Sequence, residues 1–197
     1  ADGVEIGAMG RHYAAEAAFR DIQSAFDGYT ANVLTGDEQG DVTLIMETMP
    51  TQLAAFEEQA AAYVGRYGDF EYSTAALLRI GQAYLHYVRV GYSIEPPPNL
   101  PPELEDAFYE ALEVNVYPLL DNVQDKGRAR LVRVIDFAAE RKRYSEYVRQ
   151  AQIDLNENDP INYPAQKTEV RGETEASSVF EPTPIRPVAE EPAEDQP

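Results

Sequence analysis

The chain has 197 residues, enough for one domain with a core and a tail. Its formal charge of −19 and pI near 4.3 argue against nucleic acid and against anionic lipid surfaces, both of which need Lys and Arg. It has no cysteine, which excludes disulfides, thiolate zinc sites, a Cys nucleophile and a Cys-linked lipid anchor, and no apolar run approaches the roughly 20 residues of a membrane span.

The chain opens at Ala1 without Met, as in a processed mature chain or a piece of a longer one. Residues 1–10 carry three glycines and little periodicity, and read as a loose lead-in. From Arg11 the pattern is helical: Tyr13, Ala17, Ala18, Ile22, Ala25, Phe26, Tyr29 and Val33 form one stripe. Residues 35–41, with two glycines and three acidic residues, read as a solvated connector. A second helix is predicted from Val42 or Thr43. Leu44, Ile45, Met49, Leu53, Phe56, Ala60, Tyr63, Val64 and Tyr67 form its apolar side, and Pro50 bends it. Gly65 and Gly68 mark its end.

The connector at 68–72 is short, so the second and third helices should form an antiparallel hairpin. The third helix, over 71–90, organises the chain. Ala76, Ile80, Ala83, Tyr84 and Tyr87 share one face, and Gly81 within the pattern marks a close approach by another helix. Residues 94–102 hold three consecutive prolines and read as a stiff extended loop. A long, kinked fourth helix then runs to about Glu140. Pro101 and Pro102 lie near its start, and Glu103, Glu105 and Asp106 suit its N-terminal dipole. Its stripe is Leu104, Phe108, Leu112, Val116 and Leu119, resuming after Pro118 with Leu120, Val123, Gly127, Leu131, Val134, Ile135 and Ala138. Arg141, Lys142 and Arg143 place positive charge at its C-terminal end. A fifth helix covers 144–155, with Ser145 as N-cap and Tyr147, Val148, Ala151 and Leu155 inward. From Lys167 the chain is rich in Glu, Pro, Ser and Thr, and reads as a disordered acidic tail with Val179, Phe180 and Ile185 as its only anchors. The predicted architecture is therefore all-α, with about five helices over 11–166.

Leu78, Ile80, Gly81 and Tyr84, with Ala75 and Ala76, resemble the first helix of a tetratricopeptide repeat (TPR). A longer likeness covers roughly residues 63–169. Its first piece is Ala62, Tyr63, Tyr67, Gly68 and the run from Ala75 to Gly81. Pro98 and Leu100 with the acidic start of the fourth helix come next, then Tyr117, Pro118 and Leu119. Tyr144, Ser145, Glu146 and Tyr147 follow, with Ala151, Leu155, Asn162, Tyr163, Pro164 and Glu169. These pieces resemble divergent TPR-type proteins of the myxobacterial and deltaproteobacterial envelope, among them those of gliding motility. Tyr72 and Tyr147 stand where such proteins often have Trp, and Gly127 where a large aromatic is expected. The resemblance implies stacked helical hairpins, a periplasmic or envelope setting, protein partners and no catalytic residues.

The chemistry-bearing residues agree with a non-catalytic reading. His12 and His86, the two histidines, form no metal-ligand spacing, and no phosphate loop or nucleophile elbow occurs. The carboxylates read as solvated faces, and no metal or cofactor is expected. Thirteen tyrosines and no Trp are the unusual feature. Tyr63, Tyr67, Tyr84, Tyr87 and Tyr92 are the candidate partner-binding residues, as core packing that reaches the edge or as a groove for a peptide or helix. The function expected is an interaction scaffold of the envelope, or alternatively a structural subunit of a larger envelope assembly or filament.

Overall fold

A computed structural model describes residues 7–165. The described residues are all-α: α1 (Ala8–Thr30), α2 (Glu38–Thr43), α3 (Met49–Tyr67), α4 (Phe70–Tyr92), α5 (Pro102–Asn115), α6 (Tyr117–Glu140) and α7 (Glu146–Asn158). The predicted tail, 167–197, lies outside them, as do residues 1–6 of the lead-in.

Helix α1 begins at Ala8, inside the stretch read as loose, and ends at Thr30. Val33 therefore falls beyond it, and both Val33 and Tyr13 are exposed. The second helix starts four or five residues earlier than predicted. Asp37 caps it, its carboxylate accepting from the Gly40 N–H at 2.9 Å. Asp41 closes the preceding turn by accepting from the Thr35 and Gly36 N–H groups at 2.8 and 2.9 Å.

The bend at Pro50 has a specific form. Helices α2 and α3 are continuous through a π turn, Leu44–Thr48. A proline clashes with the carbonyl four residues back and donates nothing, and the wider turn accommodates this. Within it the Met49 N–H donates to the Leu44 carbonyl. The Ile45 carbonyl would then look to residue 50, which is Pro50 and has no N–H. The Tyr87 hydroxyl fills that vacancy, donating to Ile45 O at 2.7 Å. Helix α3 stops at Gly68 with φ of 61°, a left-handed cap that glycine adopts without strain.

The predicted fourth helix is two helices. The chain breaks at Val116, and Pro118 lies in the first turn of α6. Leu104 and Leu119, predicted inward, are exposed. Ser145 occupies the N-cap position of α7, but its hydroxyl makes no cap bond and instead lies 3.3 Å from that of Thr74 on α4.

Residue pairs fix the packing. His12 meets Asp69, Gln23 meets Arg79 and Asn32 meets His86, so α1 runs parallel to α4. Ser145 meets Thr74 and Asp154 meets Gln82, so α7 is parallel to α4 on its other side. Helices α3 and α6 run antiparallel to them. Gln52 pairs with Asn32 and Phe56 with Phe26, while Leu120 lies at Gly91 and Leu131 at Gly81. The backbones of α1 and α7 do not approach each other, nor do those of α3 and α6; α4 meets all four. One buried cluster joins α1, the π turn, α3 and α4 around Met49, Phe56, Ile80 and Tyr87. A second joins α4, α6 and α7 around Leu78, Leu131, Val134 and Leu155.

Glycines bring α4 and α6 together. A Cβ on Gly81 would lie 2.6 Å from Leu131 Cδ2 and 3.3 Å from the Leu131 backbone nitrogen. One on Gly127 would lie 3.0 Å from Tyr84 Cβ. Gly127, where a large aromatic is expected in the resembling proteins, is thus itself a contact surface. Gly81→Ala should lower stability by about 1–3 kcal/mol by overpacking, although Ala favours a helix by about 1 kcal/mol. Leu131→Ala should cost about 2–5 kcal/mol. In urea melts the double variant should lose less than the sum, by about 0.5–3 kcal/mol, because the new methyl enters the vacated space. Strict additivity would show that Gly81 and Leu131 are not coupled.

Candidate functional site

Because α1 and α7 flank α4 without meeting, one strip of α4 stays uncovered between them. It carries Tyr72, Arg79, Gln82 and His86, all half-buried. Helix α4 is otherwise apolar or small on the faces turned to its neighbours, so these polar residues mark the side that no helix covers.

Arg79 and Gln82 anchor a hydrogen-bonded ribbon across this floor. Arg79 Nε donates to Gln23 Oε1 of α1 at 2.9 Å, and Arg79 Nη1 donates to Gln82 Oε1 at 2.6 Å. Gln82 Nε2 donates to Asp154 Oδ2 of α7 at 2.8 Å, and Gln150 Nε2 donates to Asp154 Oδ1 at 2.8 Å. At the far side Gln23 Nε2 donates to Asp27 Oδ1 at 2.7 Å. The guanidinium lies over the Phe26 ring, 4.9 Å from its centroid. Asp154 is buried and takes its bonds from neutral amides. Among the described residues no carboxylate pairs with Arg79 and no cation with Asp154.

A cavity of about 280 Å³ opens over the ribbon, lined by Leu78, Arg79, Gln82, Glu146, Tyr147 and Gln150. Farther along the same side of α4, a second cavity of about 350 Å³ is lined by Leu85, Val88, Arg89, Tyr92, Gln124 and Asn158, among others. Both are the size of small recognition clefts. Among the described residues no group of three or more His, Asp or Glu side chains could hold a metal ion, and no helix is long and apolar enough to cross a membrane.

The five predicted tyrosines fall in three places. Tyr63 and Tyr87 are in the core, with hydroxyls donating to the Ala15 carbonyl at 2.6 Å and the Ile45 carbonyl at 2.7 Å. Tyr67 packs on Tyr63, ring centroids 5.0 Å apart, and Tyr84 sits at the other side of α4, its hydroxyl donating to Glu57, which also pairs with Arg130 of α6. Tyr92 lines the second cavity and donates to Asp121 Oδ1 at 2.7 Å. Of the residues that line the cleft over the ribbon, Arg79, Gln82 and Gln150 were not singled out from sequence, and Tyr147 was read as an inward residue of the fifth helix. The readable signal was the pair Arg79 and Gln82, three apart, interrupting an apolar helix.

No protein-family model matches the chain, and no curated protein or solved structure matches it either.

Burial raises the pKa of Tyr63, Tyr84 and Tyr87, so all three act as neutral hydroxyl donors at neutral pH. Tyr29 is different: its buried hydroxyl has no hydrogen-bond partner among the described residues. Tyr87→Phe strands the Ile45 carbonyl and should cost about 1–3 kcal/mol in chemical denaturation. Tyr63→Phe should cost about 0.5–1.5 kcal/mol, because the Ala15 carbonyl keeps its partner within α1. Tyr29→Phe should be neutral or stabilising by the same measurement. A loss at Tyr29 equal to that at Tyr87 would contradict this account.

The two histidines should titrate in opposite directions. The bond from His12 Nδ1 to the Asp69 carboxylate raises the His12 pKa, while burial lowers that of His86, whose Nε2–H donates to the Asn32 carbonyl at 3.0 Å. The His12 contribution is therefore complete below about 6.5, the unfolded value, and is lost as pH rises through the higher folded value. The His86 cost begins as pH falls below about 6.5, where the unfolded imidazole takes a proton that the folded one refuses. His12→Gln should thus destabilise more at about pH 5.5 than at about pH 8, and His86→Gln should reduce the acid-side loss. NMR titration of the imidazoles should place the two midpoints on opposite sides of about 6.5.

Proposed function

We propose that the chain is a non-catalytic protein–protein interaction scaffold: a TPR-like stack of hairpins whose groove, floored by α4, receives an extended segment or helix of a protein partner. Support for the TPR-like reading comes from the order of parallel and antiparallel helices and from Gly81, which seats Leu131 where the resembling motif has its glycine. Support for the binding role comes from one observation above all. Arg79 is half-buried at a cavity, fixed by two amides and an aromatic ring, and has no carboxylate partner among the described residues. A guanidinium held this way has already lost its rotamer freedom, so an incoming acceptor gains more of the bond energy. The setting, periplasmic or envelope-associated and linked to motility, is proposed on the sequence likeness.

Proximity labelling or cross-linking in native cells tests the groove. Arg79→Ala and Tyr147→Ala should each remove the same partners, while Tyr84→Ala, on the opposite side of α4, should keep them. Thermal melts establish that each variant is folded. If folded Arg79→Ala and Tyr147→Ala variants keep every partner, the groove is not the binding surface.

A further inference from the structure

We propose that α5 docks on the turn between α6 and α7 of a second copy, joining chains head to tail. Helix α5 packs on α6 and on no other element. Leu112 is its one buried residue. Leu104 is 51% exposed, Tyr109 is 44% exposed, and Leu119 at the start of α6 is 53% exposed. Leu104, Phe108 and Leu112 recur every four residues, so the stripe that α6 covers at Leu112 continues uncovered toward the N-terminus of α5. Around it stand Glu103, Glu105, Asp106, Glu110 and Glu113, exposed and without ion pairs among the described residues.

The far end of α6 has the opposite character. Arg141, Lys142 and Arg143 are exposed, and Tyr144 beside them is 62% exposed. The Arg141 guanidinium lies 3.5 Å from the Phe137 ring centroid and that of Arg143 lies 4.4 Å from Phe70. Both charges are thus held in place by ring stacking. Glu140 engages Arg133 and Arg141, and Lys142 and Arg143 have no ion pair among the described residues.

The two surfaces complement each other in charge, and each offers apolar side chains. They are separated by the 24 residues of α6, roughly 36 Å of helix, and cannot meet within one molecule. A second copy brings them together. The contact uses different patches on each partner, so it repeats, as a ring if the rotation between copies closes and as an open filament if it does not, and would make the chain a structural subunit. The net charge of −19 opposes approach at long range, but near 0.15 M salt the screening length is about 8 Å, and contacting charges still attract. No residue is shared with the groove over Arg79, so the proposal stands whether or not a partner binds there.

Sedimentation velocity on the full chain tests it. The natural chain should associate as its concentration rises. The charge reversals R141E/K142E/R143E and E103K/E105K/D106K should each be monomeric alone, and an equimolar mixture should associate again, because each reversed surface now matches the other. Leu104→Ala with Phe108→Ala should also abolish association, and Arg79→Ala should leave it unchanged. Circular dichroism confirms that the variants are helical. A natural chain that stays monomeric to millimolar concentration overturns the proposal. So does association that survives both charge reversals, or a mixture of the two that remains monomeric.

Discussion

The structure depends on the close approach of α4 and α6. Gly81 receives Leu131, Gly91 receives Leu120, and Gly127 takes the flank of Tyr84 and Leu85. Each missing side chain lets a leucine or a backbone come nearer than any Cβ would allow, and the reward is dispersion contact along the length of two helices. A glycine inside a helix costs about 1 kcal/mol in propensity. Three such residues in one interface are retained because the packing they permit outweighs that loss. The rest of the fold hangs on this contact. Helix α4 borders both buried clusters, so its placement on α6 also sets where α1 and α3 lie.

The constraint explains the groove. Helix α4 contacts α1, α3, α6 and α7, which covers most of its circumference with apolar or small residues. The strip left between α1 and α7 has no apolar surface to bury against. It carries Arg79, Gln82 and His86, which satisfy their polar groups sideways, on Gln23, Asp154 and the Asn32 carbonyl. These bonds cross from one parallel helix to the next. The ribbon therefore adds a polar link across α1, α4 and α7 to the apolar contacts that α1 and α7 each make with α4.

Periodicity made the helices legible and left their neighbours unstated. Ala76, Ile80, Ala83, Tyr84 and Tyr87 were readable as one face; four are buried and Tyr84 is half-buried. The same spacing in Leu104 and Leu119 gives exposed residues, because a stripe reports that a side is apolar and says nothing of whether another helix covers it. Pro50 and Pro118 look alike in sequence. The first is absorbed by a π turn, since Tyr87 supplies the missing donor, and the second begins a new helix after Val116. That difference lies 42 residues away from Ile45, beyond any local pattern. The tyrosines were readable as core packing or as a groove, and the sequence could not choose for the same reason: the acceptors of Tyr63 and Tyr87 are backbone carbonyls of other helices. Ser145 was recognised by position as a cap, yet its hydroxyl lies beside Thr74, which only the packing of α7 on α4 decides.

The charge balance gives Arg79 its meaning. With 35 acidic and 16 basic residues, a basic side chain here is surrounded by potential carboxylate partners. Arg128, Arg130, Arg133 and Arg141 have taken them. Arg79 instead donates to two glutamine oxygens, and Asp154 at the other end of the ribbon accepts from two glutamine amides. Gln82 separates the two charges, giving each a hydrogen bond without neutralising either. A direct ion pair between them would have carried its own desolvation cost and would have neutralised the Arg79 charge. The arrangement leaves Arg79 at the cavity wall and Asp154 buried behind Gln82 and Gln150, each oriented by neutral neighbours. In the proposed role, the fixed direction of the Arg79 guanidinium would give an acidic group of a partner orientation as well as affinity.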